Sequence, residues 1–437
     1  MKTLKTRILT YPPTSSTALQ VTSKTNTMGI PYYVASLIRN HKHIQKNLGG
    51  GKVKTDILAI DFNCFIHHYL KAENPIGSVV VALHELLTEV VEAKQVYVAF
   101  DGLVPYAKMV QQRYRRMRKQ EPQDFDRHQI SPGTSYMREL SRTLKYMFRD
   151  MIVSDTLEAG EGEHKIFTWL RTLPADQRKK VTIYGLDADL VVIALAQNHL
   201  ADIQLLRETE ERGFSTISIT ELEKVLPVEK DTFIKMSIMC FGNDFMPNLG
   251  IFSLRENGYT RALYYSNRND ADKDEMKILR KFAKPENRHI LSPDGHALEQ
   301  RMSVHLMDGV LDWEPVCYAF WKTYAWVYHY FTTSEVLDWE WYYPYPEAPL
   351  LTTLEDFERP TAFAWEHPQP TMSVEDQLQF ILPKHSLLSV PTKFADELYD
   401  EETECRHPWL RKFAWECDPY VSLPHGHLTS VTEVRLL

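Results

Sequence analysis

The chain has 437 residues, with 50 Lys and Arg against 58 Asp and Glu, which gives a net charge of −8. A hydrophobic content of 43% and a charged content of 25% are ordinary for globular proteins, and they exclude a disordered, collagen-like or coiled-coil chain. The length favours two or three ordinary domains or one enlarged α/β domain. No run of 18 uninterrupted apolar residues occurs, so a transmembrane helix is excluded. Because the charge balance is acidic, any binding of nucleic acid has to come from a local basic patch.

The first 27 residues differ in composition from the rest of the chain. They contain eleven Ser or Thr and four Lys or Arg, without a single acid or an apolar signal-peptide core. We expect this segment, residues 1–27, to be a disordered extension. A mitochondrial transit peptide is the alternative, which the single arginine makes weak.

The cysteines indicate the compartment. The five of them are odd in number and mostly far apart in the sequence, at positions 64, 240, 317, 405 and 417. Such usage is typical of a reducing compartment rather than of a disulfide-stabilised secreted protein. We therefore expect a cytoplasmic protein, with a nuclear or viral-factory location also open.

After residue 28 the pattern alternates between strands and helices. Three apolar runs, at 57–60, 96–100 and 181–186, read as buried strands, and each is followed by or ends at an acid: Asp61, Asp101 and Asp187. Helical periodicity predicts helices over 78–93, 105–120, 135–149, 161–171 and 189–198, the first of them capped at Gly77-Ser78. This alternation predicts an α/β fold with a mostly parallel central sheet flanked by helices. Ligands of such sheets bind at the carboxyl ends of the strands, where these aspartates fall.

Acids occur in pairs or behind tight turns in several short segments, at 61–63, 101–102, 160–165, 185–189 and 242–245. If these segments converge, like charges at such short range require cations to neutralise them. A ligand set made only of oxygens indicates Mg²⁺ or Mn²⁺ rather than zinc. Two such ions are the apparatus for in-line displacement at phosphorus. The predicted catalytic and metal-binding residues are Asp61, Asp101, Glu161, Glu163, Asp187, Asp189 and Asp244.

Each of these segments is weak evidence when taken alone. An Asp-Xaa-Asp motif after a strand also occurs in phosphatases and glycosyltransferases, and a glycine beside an acid is commonly just a turn. A haloacid-dehalogenase-type phosphatase would have a second aspartate at position 63, where Asn63 stands. The joint occurrence of all the segments at strand ends or helix starts of one α/β pattern favours a shared metal site over a set of unrelated turns.

Within the helix predicted over 105–120, a basic amphipathic run begins at Lys108, seven residues after Asp101. One face carries a cationic edge, and the opposite face carries an apolar stripe of Val110, Tyr114 and Met117. A solvated surface helix is the ordinary interpretation of such a run. Its position beside a cluster of acids favours instead a cleft for a polyanion with a terminal phosphate. The cationic face holds Lys108, Gln112, Arg115, Arg116 and Lys119.

The motifs together resemble one family. Met-Gly-Ile-Pro at 28–31, Asp-Phe-Asn at 61–63, Gly-Glu-Gly-Glu-His-Lys at 160–165, Gly-Leu-Asp-Ala-Asp at 185–189 and Trp-Glu-Trp-Tyr-Tyr-Pro-Tyr at 339–345 are similar to segments of the Xrn-type 5′–3′ exoribonucleases. The resemblance runs in order from residue 28 to about 424. It implies a flap-nuclease-like (PIN) catalytic core at 28–254 and an aromatic-rich second conserved region at 255–437 that covers the active site. We expect a compact form without the C-terminal modules of the large members.

The resemblance also implies an activity and a set of roles. Members remove nucleotides processively from the 5′ end of 5′-monophosphorylated single-stranded RNA with Mg²⁺, for which Mn²⁺ can substitute, and the seven acids form the metal site. By the same resemblance, His67 stacks on the first nucleotide together with Trp339 or Trp341, between which the sequence does not choose. We expect a monomer that binds RNA, acts after a decapping activity and has no membrane partner. The implied 5′-phosphate pocket consists of Lys108, Gln112, Arg115 and Arg116.

Two other interpretations remain open. A structure-specific 5′ flap-type DNA nuclease would share the core and the acids but not the Trp-rich region, and it would prefer branched DNA. An inactive RNA-binding protein on the same fold usually loses acids, whereas all seven are present here. Two departures from the family pattern, at Tyr106 and at Pro346-Glu347, concern substrate contacts rather than the acids.

Overall fold

The computed structural model describes residues 30, 32–70, 73–117, 127–209, 213–252, 254, 257–264, 307, 310, 312–345 and 347–382, without the side chains of residues 114, 115, 117, 127 and 264. The predicted extension at 1–27 and the segments at 265–306 and 383–437 lie outside these residues. Within the described part of the chain, no helix combines the length and the apolar character that crossing a bilayer requires. The proposed division into 28–254 and 255–437 stays a prediction.

The centre of the molecule is one seven-stranded sheet with the order β1-β7-β6-β5-β2-β3-β4. The five strands from β6 to β4 run parallel, and β7 and β1 add antiparallel strands at one edge. This confirms the predicted α/β class with a mostly parallel sheet flanked by helices. The strands are β1 Gln45–Asn47, β2 Val53–Asp61, β3 Val91–Ala99, β4 Ile152–Ser154, β5 Lys180–Tyr184, β6 Asp202–Glu208 and β7 Phe214–Ser218.

Helices cover both faces of the sheet. Two large apolar clusters lie one on each side of it, and a smaller third cluster lies under the basic helix. The α-helices are α1 Tyr33–Asn40, α2 Phe62–Ile66, α3 Pro75–Glu85, α4 Tyr106–Met117, α5 Ser135–Met147, α6 Gly162–Thr172, α7 Asp189–Ala196, α8 Ile219–Lys224, α9 Lys230–Phe241, α10 Gly258–Tyr264, α11 Glu314–Thr333, α12 Leu351–Asp356 and α13 Val374–Ile381.

The register of the central strands aligns their carboxyl ends. In β2, residues 57–61 are all buried, as expected for a parallel strand covered on both faces. Asp61 pairs with Ala99 of β3, and Ile60 pairs with Tyr184 of β5. The residues that follow these three strands therefore emerge side by side at one edge of the sheet.

The predicted helix at 78–93 is wrong at both ends. Helix α3 begins at Pro75, and its cap is Asn74, whose side-chain oxygen accepts a hydrogen bond from the Gly77 backbone N–H at 3.0 Å, rather than Gly77-Ser78. The helix ends at Glu85, and after one wider turn the chain enters β3 at Val91, which pairs with Val53. The long-range pairing with β2 thus overrides the local helical periodicity of 91–93.

Four strands were not predicted. These strands, β1, β4, β6 and β7, contain three to seven residues; β1 is entirely polar, and polar side chains interrupt or shorten the apolar runs of the others. Their strand character comes from hydrogen bonding to neighbours that already belong to the sheet, which a local sequence pattern does not reveal.

The long helix α11 connects the second region to the core of the first. It runs for 20 residues and is buried over much of its length, including Trp326 and Tyr330. Its apolar side chains belong to the same cluster as those of α7 and α9. α13 packs instead in the small cluster under α4, where Leu378 and Ile381 lie beside Val110. Helices of the second region therefore contact both the sheet layer and the basic helix.

Candidate active site

The seven predicted acids lie together at the carboxyl edge of the sheet. Asp61 is the last residue of β2, Asp101 follows β3, and Asp189 is the first residue of α7, just after β5. Six of the seven side chains are buried, and Asp101 is half-buried. The structure therefore brings together residues that lie up to 183 positions apart in the sequence (244 − 61 = 183). Their role as metal ligands stays a prediction.

One group of oxygens within 4.8 Å of one another comes from Asp61, Asp101 and Glu163. Asp101 is fixed by two donors, the Asn63 side-chain amide at 2.7 Å and the backbone N–H of Gly162 at 2.8 Å. The second donor belongs to the first turn of α6, where the positive end of the helix dipole favours a carboxylate.

The two oxygens of Asp61 have different surroundings. Oδ2 accepts a hydrogen bond from the Cys64 thiol at 2.8 Å, whereas Oδ1 is buried without a hydrogen-bond partner. Oδ1 of Asp189 is likewise buried and unpartnered. A buried carboxylate oxygen without a donor is costly unless a cation neutralises it. These two atoms therefore fit a site for divalent cations.

A second group of ligand atoms comes from Glu161, Glu163 and His164. Both oxygens of Glu161 have partners, because Oε2 lies 2.5 Å from the Lys108 ammonium and Oε1 accepts a hydrogen bond from the Tyr330 hydroxyl at 3.0 Å. The sequence predicts a ligand set of oxygens only and indicates no role for His164.

Two glycines explain the local spacing of the acids. A Cβ added to Gly162 would lie 2.8 Å from Oδ1 of Asp61 and 3.1 Å from the Ala99 carbonyl, so only glycine lets α6 begin this close to β2. Gly242 ends α9 with φ +67°, a left-handed conformation that glycine adopts freely. The turn that follows directs Asp244 towards Lys108, whose ammonium lies 3.0 Å from its Oδ2.

Burial and the charges of neighbouring acids raise the pKa values of Asp61, Glu163 and Asp189. Desolvation, followed by the charges of Asp101 and Asp187, holds the pKa of Asp61 well above its ordinary value. Desolvation and the charge of Glu161 do the same for Glu163. Desolvation, followed by the charge of Asp244, raises the pKa of Asp189 to about 8.

One buried lysine partly neutralises the cluster. Desolvation alone would lower the pKa of Lys108, but the charges of Glu161 and Asp244 outweigh it, and the pKa lies well above its ordinary value. Lys108 is therefore a permanent cation among several acids. An excess of buried carboxylate oxygen over buried cation is the donor chemistry that suits Mg²⁺ or Mn²⁺.

The basic helix is more buried than the sequence pattern indicates. Lys108 enters the acid cluster, and Gln112 is buried and accepts a hydrogen bond from Gln377 of α13 at 3.3 Å. Arg116 donates to the hydroxyl of Ser131 at 3.2 Å and to the Ile130 carbonyl at 3.0 Å. The side chain of Arg115 and all of Lys119 lie outside the described residues.

The three predicted stacking residues have different environments. His67 is exposed directly after α2. Trp339 is half-buried in the small cluster under α4, and its backbone carbonyl accepts a hydrogen bond from Tyr106 N–H at 2.8 Å. The ring of Trp341 instead donates to the Thr323 hydroxyl at 3.1 Å and lies under the Lys322 ammonium at 4.2 Å.

Three contributors to the site were not predicted. Cys64 lies three residues after Asp61, one helical turn away, so its proximity could have been inferred from the Asp-Phe-Asn-Cys sequence. Gly162 carried a signal too, since a glycine between two acids at a helix start indicates a close approach. Tyr330 is 169 residues from Glu161, and no local pattern predicts that contact.

Comparison with known proteins assigns the family. The model of the XRN 5′–3′ exonuclease N-terminus matches residues 28–124 and 118–209, and that of the Xrn1 helical domain matches residues 299–418. The chain belongs to the Xrn family. The helix α11, which brings Tyr330 to the acids, lies within the helical domain of this Xrn-family chain.

Named relatives of this Xrn-family chain are considerably longer than it is. The 5′–3′ exoribonuclease 1 of Saccharomyces cerevisiae is 28% identical over 310 residues, which cover 53% of this chain and 20% of the relative. The human 5′–3′ exoribonuclease 1 is 28% identical over 260 residues, 48% of this chain and 15% of the relative. The 5′–3′ exoribonuclease 2 of Kluyveromyces lactis is 27% identical over 300 residues, 46% of this chain and 30% of the relative.

Among solved structures, the catalytic core of Rad2 in complex with DNA substrate is similar at 14% identity. The match has a TM-score of 0.39 and covers 84% of the Xrn-family chain and 97% of the Rad2 chain.

Proposed function

We propose that this Xrn-family protein is a 5′–3′ exoribonuclease that degrades 5′-monophosphorylated single-stranded RNA processively, with two divalent metal ions, Mg²⁺ or in its place Mn²⁺. The observation that carries the proposal is the convergence of seven acids at the carboxyl edge of the sheet, with a lysine of the basic helix among them. Membership of the family supports the direction of degradation and the class of substrate.

The residues present fit two divalent ions. Asp61, Asp101 and Glu163 would hold one, since their oxygens converge and one of them is an orphaned buried atom. Glu161, which offers a ligand atom within 4.8 Å of one from Glu163, would add a carboxylate to the same ion. Asp187, Asp189 and Asp244 would hold the second, beside the orphaned oxygen of Asp189. When bound, divalent ions supply Lewis-acid stabilisation of the phosphate oxygens on which charge develops.

The basic helix would position the 5′ end. Residues 108, 112 and 116 follow one another at successive helical turns, so their side chains lie along one face of α4. A 5′-monophosphate bound along this face by Gln112, Arg115 and Arg116 would place the first phosphodiester near Lys108 and the acids. Fixing the scissile bond in this way contributes to the rate through orientation. The small pocket would exclude capped and triphosphate ends by size.

Stacking would hold the first nucleotide. His67 is exposed next to Asp61, and between the two tryptophans we propose Trp339 as its partner. Trp339 lies beside the start of the basic helix, whereas the ring of Trp341 is already engaged by Thr323 and Lys322. Base stacking contributes about 1–3 kcal/mol per base and tolerates any sequence, as a degradative enzyme requires.

The cellular setting is part of the same proposal. A 5′-monophosphate requirement implies an upstream activity that removes caps or pyrophosphate from RNA. We place the protein in the cytoplasm on the basis of its cysteine usage, and we propose that it acts as a monomer.

The test follows three 3′-labelled single-stranded RNAs that differ only in a 5′-monophosphate, 5′-hydroxyl or 5′-triphosphate end, with Mg²⁺ and with EDTA. Asp187→Ala serves as the control for a contaminating nuclease. We expect loss of the monophosphate RNA only, abolished by EDTA and by the substitution. Equal attack on all three ends would contradict the pocket, and preference for branched DNA would indicate a flap-type nuclease. RNA binding without any metal-dependent product would indicate an inactive RNA-binding protein.

A further inference from the structure

The hydroxyl of Tyr330 contacts an acid of the candidate metal site from the helical domain. Tyr330 lies near the end of α11 and is 1% exposed. Its hydroxyl donates to Oε1 of Glu161 at 3.0 Å, while the Lys108 ammonium lies 2.5 Å from Oε2 of the same carboxylate. Glu161 is thus held by one residue of the helical domain and by one residue of the nuclease core.

The ring of Tyr330 has little freedom to move. The His164 ring stacks on it with centroids 3.6 Å apart and an angle of 19° between the planes. The other ring contacts come from Trp326 at 5.1 Å and Phe245 at 5.9 Å. Because the ring is restrained, the position of its hydroxyl is fixed. A carboxylate that accepts a hydrogen bond from this hydroxyl therefore keeps one orientation.

His164 is fixed in turn by the end of the same helix. Its Nδ1 lies 3.1 Å from the hydroxyl of Ser334, which ends α11 one turn after Tyr330. The Ser334 hydroxyl also accepts a hydrogen bond from the side chain of Gln197 at 3.0 Å. Stacking and hydrogen bonding therefore join the end of α11 to the first turn of α6, which carries Glu163.

We propose that Tyr330 is a positioning residue that fixes the orientation of Glu161 for the binding of divalent metal, so that the helical domain completes the metal centre formed at the strand ends. This inference rests on the proposed metal-dependent function. Groups that hydrogen-bond to ligating carboxylates set their orientation, and their loss typically weakens metal binding 10- to 100-fold.

The test is Tyr330→Phe, which retains the ring and removes only the hydroxyl. The matched control is Tyr343→Phe, because Tyr343 is also 1% exposed and its hydroxyl donates to the backbone carbonyl of Glu347 at 2.8 Å, away from the acids. Mn²⁺ is titrated into each full-length protein by calorimetry, without RNA. We expect the dissociation constant to rise about tenfold in Tyr330→Phe and to remain within about twofold in the control.

A double-substitution cycle separates positioning from packing. In a Glu161→Gln background, adding Tyr330→Phe should change Mn²⁺ affinity by less than about twofold, because the hydroxyl no longer has a ligating carboxylate to orient. An equal loss in both backgrounds, or an equal loss in Tyr343→Phe, would overturn the inference. So would unchanged affinity in Tyr330→Phe.

Two further results distinguish this inference from the proposed function. If the wild-type protein binds Mn²⁺ with the expected pattern among variants but does not degrade RNA, only the proposed function is overturned. If the wild-type protein binds no Mn²⁺, both are overturned. Should Tyr330→Phe fail to fold, Ser334→Ala removes the contact that holds His164, and we expect a smaller loss of Mn²⁺ affinity in the same direction. Unchanged affinity there would overturn the inference.

Discussion

The ammonium of Lys108 lies 2.5 Å from Oε2 of Glu161, inside a cluster of acids rather than at the surface of the basic helix. The same ammonium is 3.0 Å from Asp244. Lys108 therefore links the helix proposed to bind the 5′-phosphate directly to the acids proposed to bind metal. It is also a cation that stabilises these acids before any metal arrives.

Replacing Lys108 by methionine should destabilise the metal-free protein and leave the metal-bound protein less affected. Removing one partner of a buried ion pair costs about 3–5 kcal/mol, because the remaining charge stays buried. We expect the unfolding midpoint of Lys108→Met to fall by several degrees in EDTA and to recover in large part with Mg²⁺. Differential scanning calorimetry with and without Mg²⁺ measures both quantities.

Lys322→Met is the matched control for that substitution. Lys322 is 9% exposed and lies against the rings of Trp341 and Trp365 rather than among the acids. Because Lys322→Met keeps the acid cluster, Mg²⁺ should raise its midpoint as much as that of the wild type, and the deficit relative to the wild type should be the same with and without Mg²⁺. An equal reduction of the deficit by Mg²⁺ in both variants would contradict the role assigned to Lys108.

The raised pKa of Asp189 predicts how stability depends on pH. Since the pKa is about 8 in the folded state against an ordinary value of 3.8, the folded protein retains a proton that the unfolded chain has lost. This contribution to stability is fully present below about pH 4 and is lost as the pH rises towards 8. In EDTA, the unfolding midpoint of the wild type should fall more between pH 5 and pH 8 than that of Asp189→Asn.

The difference in unfolding midpoint between the wild type and Asp189→Asn, taken at each pH, cancels the titrations that the two proteins share, including that of His164. Mg²⁺ should diminish the difference, since metal binding favours the ionised carboxylate. Parallel curves in EDTA would contradict the assigned pKa.

Gly162→Ala should impair metal binding more than it impairs folding. The added methyl would lie 2.8 Å from Oδ1 of Asp61, so that this carboxylate has to move away from the position in which it faces Asp101 and Glu163. We expect Mn²⁺ affinity to fall at least about tenfold, as for other substitutions that misplace a ligand. Calorimetric titration measures the affinity, and circular dichroism measures the fold.

Gly102→Ala provides the contrasting case. Its Cβ would lie 1.8 Å from the backbone carbonyl of Glu158, so that the backbone itself has to shift. This variant should lose folding stability first. A Gly162→Ala variant that unfolds to the same extent would show that this glycine serves the fold rather than the acid site.

Substitutions of the two tryptophans should have different effects on KM and on stability. Trp339→Ala should raise KM for 5′-monophosphorylated RNA about tenfold, as expected from the loss of one stacked base. Trp341→Ala should lower the unfolding midpoint, because it removes the contacts with Thr323 and Lys322, and it should change KM much less. Steady-state assays together with thermal unfolding distinguish the two, and a larger KM effect for Trp341→Ala would reverse our assignment.

The strand ends of the site could be predicted from the sequence because a buried parallel strand has a local signature. An apolar run that stops at an acid indicated both the strand and the edge at which it ends, and this located Asp61, Asp101 and Asp187. The acids of the Gly-Glu-Gly-Glu segment could also be predicted from a local pattern, since the glycines between them indicate that the backbone lies close to another element.

The remaining features depend on contacts that no local pattern encodes. Helical periodicity assigned Lys108 to a cationic face, but its burial follows from pairing with Glu161 and Asp244, which come from other elements. The same holds for Tyr330, whose spacing within α11 is that of an ordinary core residue. The short strands β4 and β7 form only because the sheet already offers them a partner.

The pairing of Asp61 with Ala99, and of Ile60 with Tyr184, has a consequence for how this protein can change in evolution. Side chains alternate between the two faces of a strand, so a single inserted or deleted residue within β2 would turn Asp61 away from its neighbours. Insertions between the elements leave that alternation intact. A change in loop length is therefore compatible with this acid cluster, whereas a change in the length of β2 is not.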